Sequence, residues 1–272
     1  MKTTKDLVLP DDITQSTLNN PRDLLICSQP KMGKSTILGD FTKKHNALIL
    51  DFEKGGYEYI SARKLSTHSS QESSRIESFF NYISIRKLLF ENKGKYEYLI
   101  IDGLSDLDDL SDIGGTLSYM STIIGKKFNR NNEGEHYSPK DIEFKSVLSL
   151  PDGAGYQHTR KWFLDQIEIF RQISPYRIYA AHILDKYIKD NNGKDELLGY
   201  ELALTGKLKT ILASKVTALC KLISDGDDRY LNFEVANNVI IAGSRSPRLK
   251  GKLLISKQNS EIVETFWENI YQ

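Results

Sequence analysis

The strongest constraint on this fold is an apolar run that breaks into a short loop and then a helix signature. Residues 24–36, Leu24-Leu25-Ile26-Cys27-Ser28-Gln29-Pro30-Lys31-Met32-Gly33-Lys34-Ser35-Thr36, read as a buried strand, a tight turn and the first turn of a helix. Backbone N–H groups at such a helix start point outward unpaired, so loop and helix end together make a concave anion site. Lys34 adds a full positive charge, and Ser35 offers a hydroxyl to the magnesium ion that bridges nucleotide phosphates. Ser28 through Thr36 are therefore the candidate cradle for ATP with Mg²⁺. Gly-Lys recurs at Gly94, Gly125, Gly193, Gly206 and Gly251, yet only at Gly33 does Ser or Thr follow. The full pattern has a glycine five positions before Gly33; here Ser28 stands there, small and tolerant of turns, while Pro30 fixes the loop's shape. The alternative is an ordinary strand-to-helix turn.

Further apolar runs at 47–51, 96–102 and 177–182 join the one at 23–27 as expected strands. Each is nearly continuous, as suits strands covered on both faces in a parallel sheet. Helical patterns at 34–44, 57–64, 76–91 and 160–173 alternate with them, which predicts a wound α/β fold. In the last of these, Phe163, Ile167 and Phe170 make a core stripe. Beyond His182 the residues 190–193 read as a turn, 204–215 as a helix, and 216–224 with 229–235 as a hairpin around Asp225-Gly226-Asp227. Antiparallel strands are thus expected to finish the sheet. The stretch 113–157, with six glycines and an Asn-rich turn, is expected as a long functional loop or insertion.

Hydrolysis needs an acid that organises the metal and a base that orients water. Asp102, at the end of Tyr98-Leu99-Ile100-Ile101, is placed to hold magnesium through water; helix N-capping is its other reading. Many ATPases follow that aspartate with a glutamate, whereas Gly103 follows here, so the base must come from elsewhere. Glu53, two residues beyond Asp51 at the end of the second strand, is the candidate, against a loop glutamate paired with Lys54. His182, ending the fourth strand, can sense the γ-phosphate or sit half-buried as a satisfied histidine. Asp106, Asp108, Asp109 and Asp112 read as a solvated helix face. Arg245, Arg248, Lys250 and Lys252 gather on a turn between strands, as fingers reaching a neighbouring subunit's nucleotide or as a basic hairpin tip.

At 272 residues and a net charge of +1, the chain can bury a full core, and nothing in its overall charge announces a nucleic-acid or membrane partner. Two cysteines, Cys27 and Cys220, read as small buried hydrophobes and suggest a reducing compartment. The polar N-terminus has no apolar run for a signal peptide or spanning helix, so a cytoplasmic location is expected.

Taken together these segments resemble the RecA-like P-loop ATPase core, most closely the short phage proteins of single-strand DNA annealing and recombination. The likeness spans about 22–256, with 1–21 as an N-terminal arm and 257–272 as a C-terminal tail helix. It implies a mostly parallel sheet flanked by helices, Lys34 and Ser35 on phosphate and magnesium, Asp102 on the metal, Glu53 as base, and His182 as sensor where recombinases proper carry glutamine. It further implies an oligomeric ATPase, ring or filament, with composite ATP sites, acting on single-stranded DNA in the cytoplasm of a host if phage-encoded. The segments 152–156 and 204–208 look like the same branch. Lys126, Lys127, Arg130, Lys140 and Lys145, interleaved with Phe128, Tyr137 and Phe144, form a candidate single-strand surface; a lid or subunit contact is the other reading. A non-hydrolysing ATP-dependent scaffold and a P-loop kinase are the competing functions.

Overall fold

The apolar runs become adjacent strands in the computed structural model, which describes residues 18–189, 195–234, 242–259 and 262–272. Strands β1 (Asp23–Ser28), β2 (Ala47–Asp51) and β4 (Tyr98–Asp102) are buried at every position. With β3 (Lys64–Ser66), β5 (Tyr176–Lys189) and β7 (Ala218–Asp225) they form a parallel core in the order β7-β1-β5-β4-β2-β3. On the β7 side the sheet continues antiparallel through β8 (Asp228–Asn232), β10 (Lys252–Asn259) and β11 (Ile262–Thr265). Two short pairings lie off this path, β6 (Asp195–Leu202) on β5 and β9 (Gly243–Ser244) on β7. A mostly parallel sheet with antiparallel strands at one side is the α/β arrangement of a P-loop NTPase, as the sequence predicts.

Side chains alternate between the two faces with the strand period of two. Leu24 and Ile26 pack with α1 (Lys34–Lys44) through Ile37, Leu38 and Phe41, while Leu25 and Cys27 face the opposite cluster. That cluster holds Phe79 and Tyr82 of α2 (Arg75–Glu91), Leu104 and Leu107 of α3 (Leu104–Met120), Phe163 and Ile167 of α4 (Gly155–Ile173), and Leu208 and Leu212 of α5 (Leu208–Lys215). Both cysteines are free and buried. Among the described residues no helix is long and apolar enough to cross a membrane.

Four expectations are corrected. The helix expected over 57–64 is absent; after Gly55 at φ +76° the chain crosses irregularly to β3, because the Arg63 guanidinium bonds the His45 and Ala47 carbonyls and the Tyr57 hydroxyl turns inward. The long loop is shorter than 113–157. It begins after Met120 and ends at Gly155, since Gly114 and Gly115 act as packing residues inside α3. A Cβ on Gly114 would lie 2.1 Å from the Trp162 ring, and one on Gly115 2.8 Å from the Thr159 backbone, so α3 and α4 approach as closely as only glycine permits. The tail helix over 257–272 is replaced by β10, β11 and a 3₁₀ turn, Trp267–Asn269. Trp267, Ile270 and Tyr271 seal the α1 face instead, with the indole N–H donating to the Ile37 carbonyl at 3.2 Å. Finally, of the α3 acids only Asp109 is exposed: Asp106 is half-buried, Asp108 is buried and accepts from the Thr205 N–H at 2.6 Å, and Asp112 holds Arg75 at 3.2 Å and the Ser146 hydroxyl. Residues 190–193, expected as a turn, and most of the N-terminal arm lie outside the described residues.

Candidate active site

Parallel register brings the chemistry to one edge of the sheet. Ser28 lies opposite His182, Asp51 opposite Asp102, and Asp102 opposite Ala180, so the ends of β1, β2, β4 and the turn-off point of β5 converge where an open α/β sheet binds its ligand. The loop after Ser28 bends through two left-handed residues, Lys31 at φ +63° and Gly33 at φ +91°. Helix α1 then starts with no side-chain cap and no acid in its first turn. The first of its N–H groups with a backbone partner is that of Ile37, on the Gly33 carbonyl at 3.2 Å. The amides of Lys34, Ser35 and Thr36 have no backbone partner, the condition of an open helix start.

Lys34 is buried, 6% exposed, and its ammonium donates to His182 Nδ1 at 3.3 Å. With Nδ1 accepting, the imidazole proton sits on Nε2, which faces Glu53 Oε1 at 2.9 Å. That approach is bent away from hydrogen-bond alignment, and Oε1 is a buried oxygen without an aligned donor. Lys34 Nζ lies 3.8 Å from the same oxygen. Burial pushes the Glu53 carboxyl up, but His182 and Lys34 outweigh it and hold the group below its ordinary range. Glu53 is thus a carboxylate at neutral pH, able to take a proton.

Asp102 is fully buried. Its Oδ2 accepts from the Tyr57 hydroxyl at 2.6 Å and from Ser35 Oγ at 3.3 Å, whereas Oδ1 is buried without a partner. Burial and then the charge of Glu53 raise its pKa, against the pull of Lys34, Tyr57 and Ser35. Burial and the charge of Asp102 also push the neighbouring Asp51 up to about 7. An orphaned carboxylate oxygen beside a serine hydroxyl is a hard oxygen donor set, and it fits Mg²⁺, which takes few protein ligands and keeps its waters.

Gly103 explains the missing glutamate after Asp102. It sits at φ +90°, and a Cβ there would lie 2.9 Å from Glu53 Cγ, 3.0 Å from Asp106 Oδ2 and 3.1 Å from Phe52 Cβ. The space beside Asp102 is filled by Glu53 from the neighbouring strand, so any larger residue at 103 would evict it. Burial, then the charges of Glu53 and Asp109, push Asp106 up to about 6.

Not every expected residue joins the site. Gln29, Pro30 and Lys31 are exposed on the loop, with Met32 and Thr36 half-buried beside it. The turn carrying Arg245, Arg248 and Lys250 follows β9, which pairs with the start of β7 at Ala218, and Ala218 lies opposite Leu24. This is the end of the sheet opposite the phosphate loop. Arg245 donates to the Ser214 carbonyl at 2.8 Å and stays exposed, as does Lys250. Arg248 is no free finger: it clamps the chain end through the Asn269 and Ile270 carbonyls. In the 121–154 segment the lysines 126, 127, 140 and 145 are exposed, but Phe128, Tyr137 and Phe144 are half-buried, and Arg130 is engaged with the Lys126 and Gly134 carbonyls at 2.7 Å each. The apolar groups fully presented there are Ile123, Ile124 and Ile142. Sequence reasoning missed Tyr57, which follows Glu53 by four residues in a segment read as helix; no periodic signal marks it.

A family model described as an AAA domain matches residues 20–246. No curated protein matches the sequence. Among solved structures, the chain is similar to one described under "Structural and biochemical analysis of a prototypical ATPase from the type III secretion system of pathogenic bacteria". The two are 10% identical with a TM-score of 0.39, over 79% of this chain and 60% of that one, so this chain spans about three fifths of its length.

Proposed function

We propose that this chain, which belongs to the AAA domain family, hydrolyses ATP at the Lys34, Glu53 and His182 cluster and acts on single-stranded DNA as an oligomer. The observation that carries the catalytic reading is the convergence of an uncapped helix start, a buried lysine and a carboxylate held ionised at one sheet edge. The α1 amides and Lys34 bind the phosphate tail. Ser35 and Asp102 would hold Mg²⁺, which when bound neutralises charge on the phosphate oxygens. Glu53 orients a water and takes its proton as the water oxygen bonds the γ-phosphorus; the bond from that phosphorus to the bridging oxygen breaks, leaving ADP and phosphate. Lys34 then balances the charge the phosphates carry away from water. His182 touches both Lys34 and Glu53, so loss of the γ-phosphate changes its contacts, and the Ala203 N–H on the His182 carbonyl at 2.9 Å passes any shift to the chain ahead of α5.

The DNA reading is supported by the exposed lysines of the 121–154 segment, where cations can follow phosphates. The oligomer reading is supported by Arg245 and Lys250, exposed at the end of the sheet away from their own phosphate loop and therefore available only to a neighbour's site. Turnover with and without single-stranded DNA at low salt tests the first, stimulation being the expected result. Glu53→Gln tests the chemistry: turnover should fall on the order of 10² to 10⁴-fold with ATP binding retained. Unchanged turnover would leave an ATP-dependent scaffold as the better description.

A further inference from the structure

We propose that Tyr57 is the positioning residue for the metal-organising acid, holding the Asp102 carboxylate so that Oδ1 is the oxygen presented to Mg²⁺. This rests on the nucleotide reading above and extends it to a residue outside the phosphate loop.

Tyr57 is 3% exposed, and its hydroxyl donates to Asp102 Oδ2 at 2.6 Å, the shortest contact that carboxylate makes. Ser35 Oγ, at 3.3 Å, is a weaker donor to the same oxygen. Rotation about the terminal bond of an aspartate is soft, so a single well-placed donor chooses its orientation. With Oδ2 turned to the phenol, Oδ1 is left buried and unpartnered. Leaving a buried carboxylate oxygen unsatisfied costs free energy, and such an atom in a native fold asks for a ligand. Once Ser35 turns its oxygen to a metal, Tyr57 is the remaining donor on Oδ2. Hydrogen bonds that orient metal-binding carboxylates in this way typically carry 10 to 100-fold in metal affinity.

The chain reaches this geometry by turning back on itself. Gly55 at φ +76° reverses the strand exit, so the segment from Glu53 to Tyr57 begins at the water-orienting acid and ends at the metal-organising one. The start of the segment has its own anchors: the Phe52 N–H on the Asp102 carbonyl at 2.9 Å and the Glu53 N–H on Asp51 Oδ1 at 3.1 Å. Removing the Tyr57 hydroxyl therefore leaves Glu53 and the phosphate loop in place. Its effect should fall on Mg²⁺ alone.

The experiment is a titration of Mg²⁺ into the full chain saturated with ADP, read by calorimetry and by the shift in melting temperature, for wild type and Tyr57→Phe. Wild type should bind ADP in EDTA and Mg²⁺ in the complex. Tyr57→Phe should bind ADP in EDTA with unchanged affinity and need roughly 10 to 100-fold more Mg²⁺. Tyr57→Met, which fills the ring's place without a donor, should show the same split if the phenylalanine variant does not fold. An unchanged Mg²⁺ midpoint, or equal losses of ADP and Mg²⁺ affinity, would overturn the assignment of Tyr57. If wild type itself bound neither ADP nor Mg²⁺, the nucleotide reading would fall, and the role of Tyr57 with it.

Discussion

Gly103→Ala isolates the packing that lets Glu53 stand beside Asp102. Two costs arise at this position. The backbone is left-handed, which penalises a side chain by about 1–2 kcal/mol. The new Cβ would also lie 2.9 Å from Glu53 Cγ and 3.1 Å from Phe52 Cβ in a filled core, an overpacking that typically costs about 1–3 kcal/mol. Together they make about 2–5 kcal/mol, a fall in melting temperature of roughly 4–10 °C for a chain of this size. Gly94→Ala provides the control, because Gly94 is also left-handed at φ +81° but has nothing within 4 Å of its Cβ, so only the first cost applies. The catalytic consequence separates the two further. Displacing Glu53 by about 1 Å should lower turnover on the order of 100-fold in Gly103→Ala, with ATP affinity kept, while Gly94→Ala retains turnover. Melting curves and steady-state ATPase rates on both variants make the comparison. Equal melting temperatures, or a Gly103→Ala enzyme as fast as Gly94→Ala, would refute the claim that Glu53 takes the place of a residue-103 acid.

The site also has a pH signature. Asp51 is raised from 3.8 to about 7 in the fold, so it favours the folded state fully below its unfolded value and loses that contribution as pH rises through about 7. Melting temperature without nucleotide should therefore decline between about pH 4 and 7 on this account, and Asp51→Asn should flatten the decline. Gly114→Ala should lower the melting temperature by several degrees, because its Cβ would fall 2.1 Å from the Trp162 ring, and Trp162 has neighbouring rings at Phe79 and Tyr82 that limit its retreat. Asp108→Asn weakens an acceptor that holds the Thr205 N–H at 2.6 Å, and hydrogen exchange at the 205 amide should rise while that in β1 does not.

What was legible in the sequence were the segments whose structure is decided locally. The run 24–36 specified β1, the loop and the start of α1 because apolar continuity, a left-handed glycine and a lysine-serine pair all agree there. Asp225-Gly226-Asp227 announced the β7–β8 hairpin for the same reason. The misreadings lie where distant partners decide. Gly114 and Gly115 look like helix breakers until α4 is laid against them, and Asp108 and Asp112 look solvated until Thr205, Arg75 and Ser146 are folded onto them. Residues 57–64 have a helical rhythm, but the Tyr57 hydroxyl finds a buried aspartate 45 positions away. That Lys34, Ser35, Glu53, Asp102 and His182 would meet could be anticipated from strand ends. That Gly103 clears the space for Glu53 needed both strands in register.

The most direct measurement is calorimetry of ATP with Mg²⁺ binding to the full chain and to Lys34→Ala. The buried ammonium stands at the opening of an uncapped helix, 3.3 Å from His182 and 3.8 Å from Glu53, so wild type should bind with measurable heat and the variant should lose most of its affinity. Equal affinity in the two proteins, or no heat in either, would contradict the account at its base.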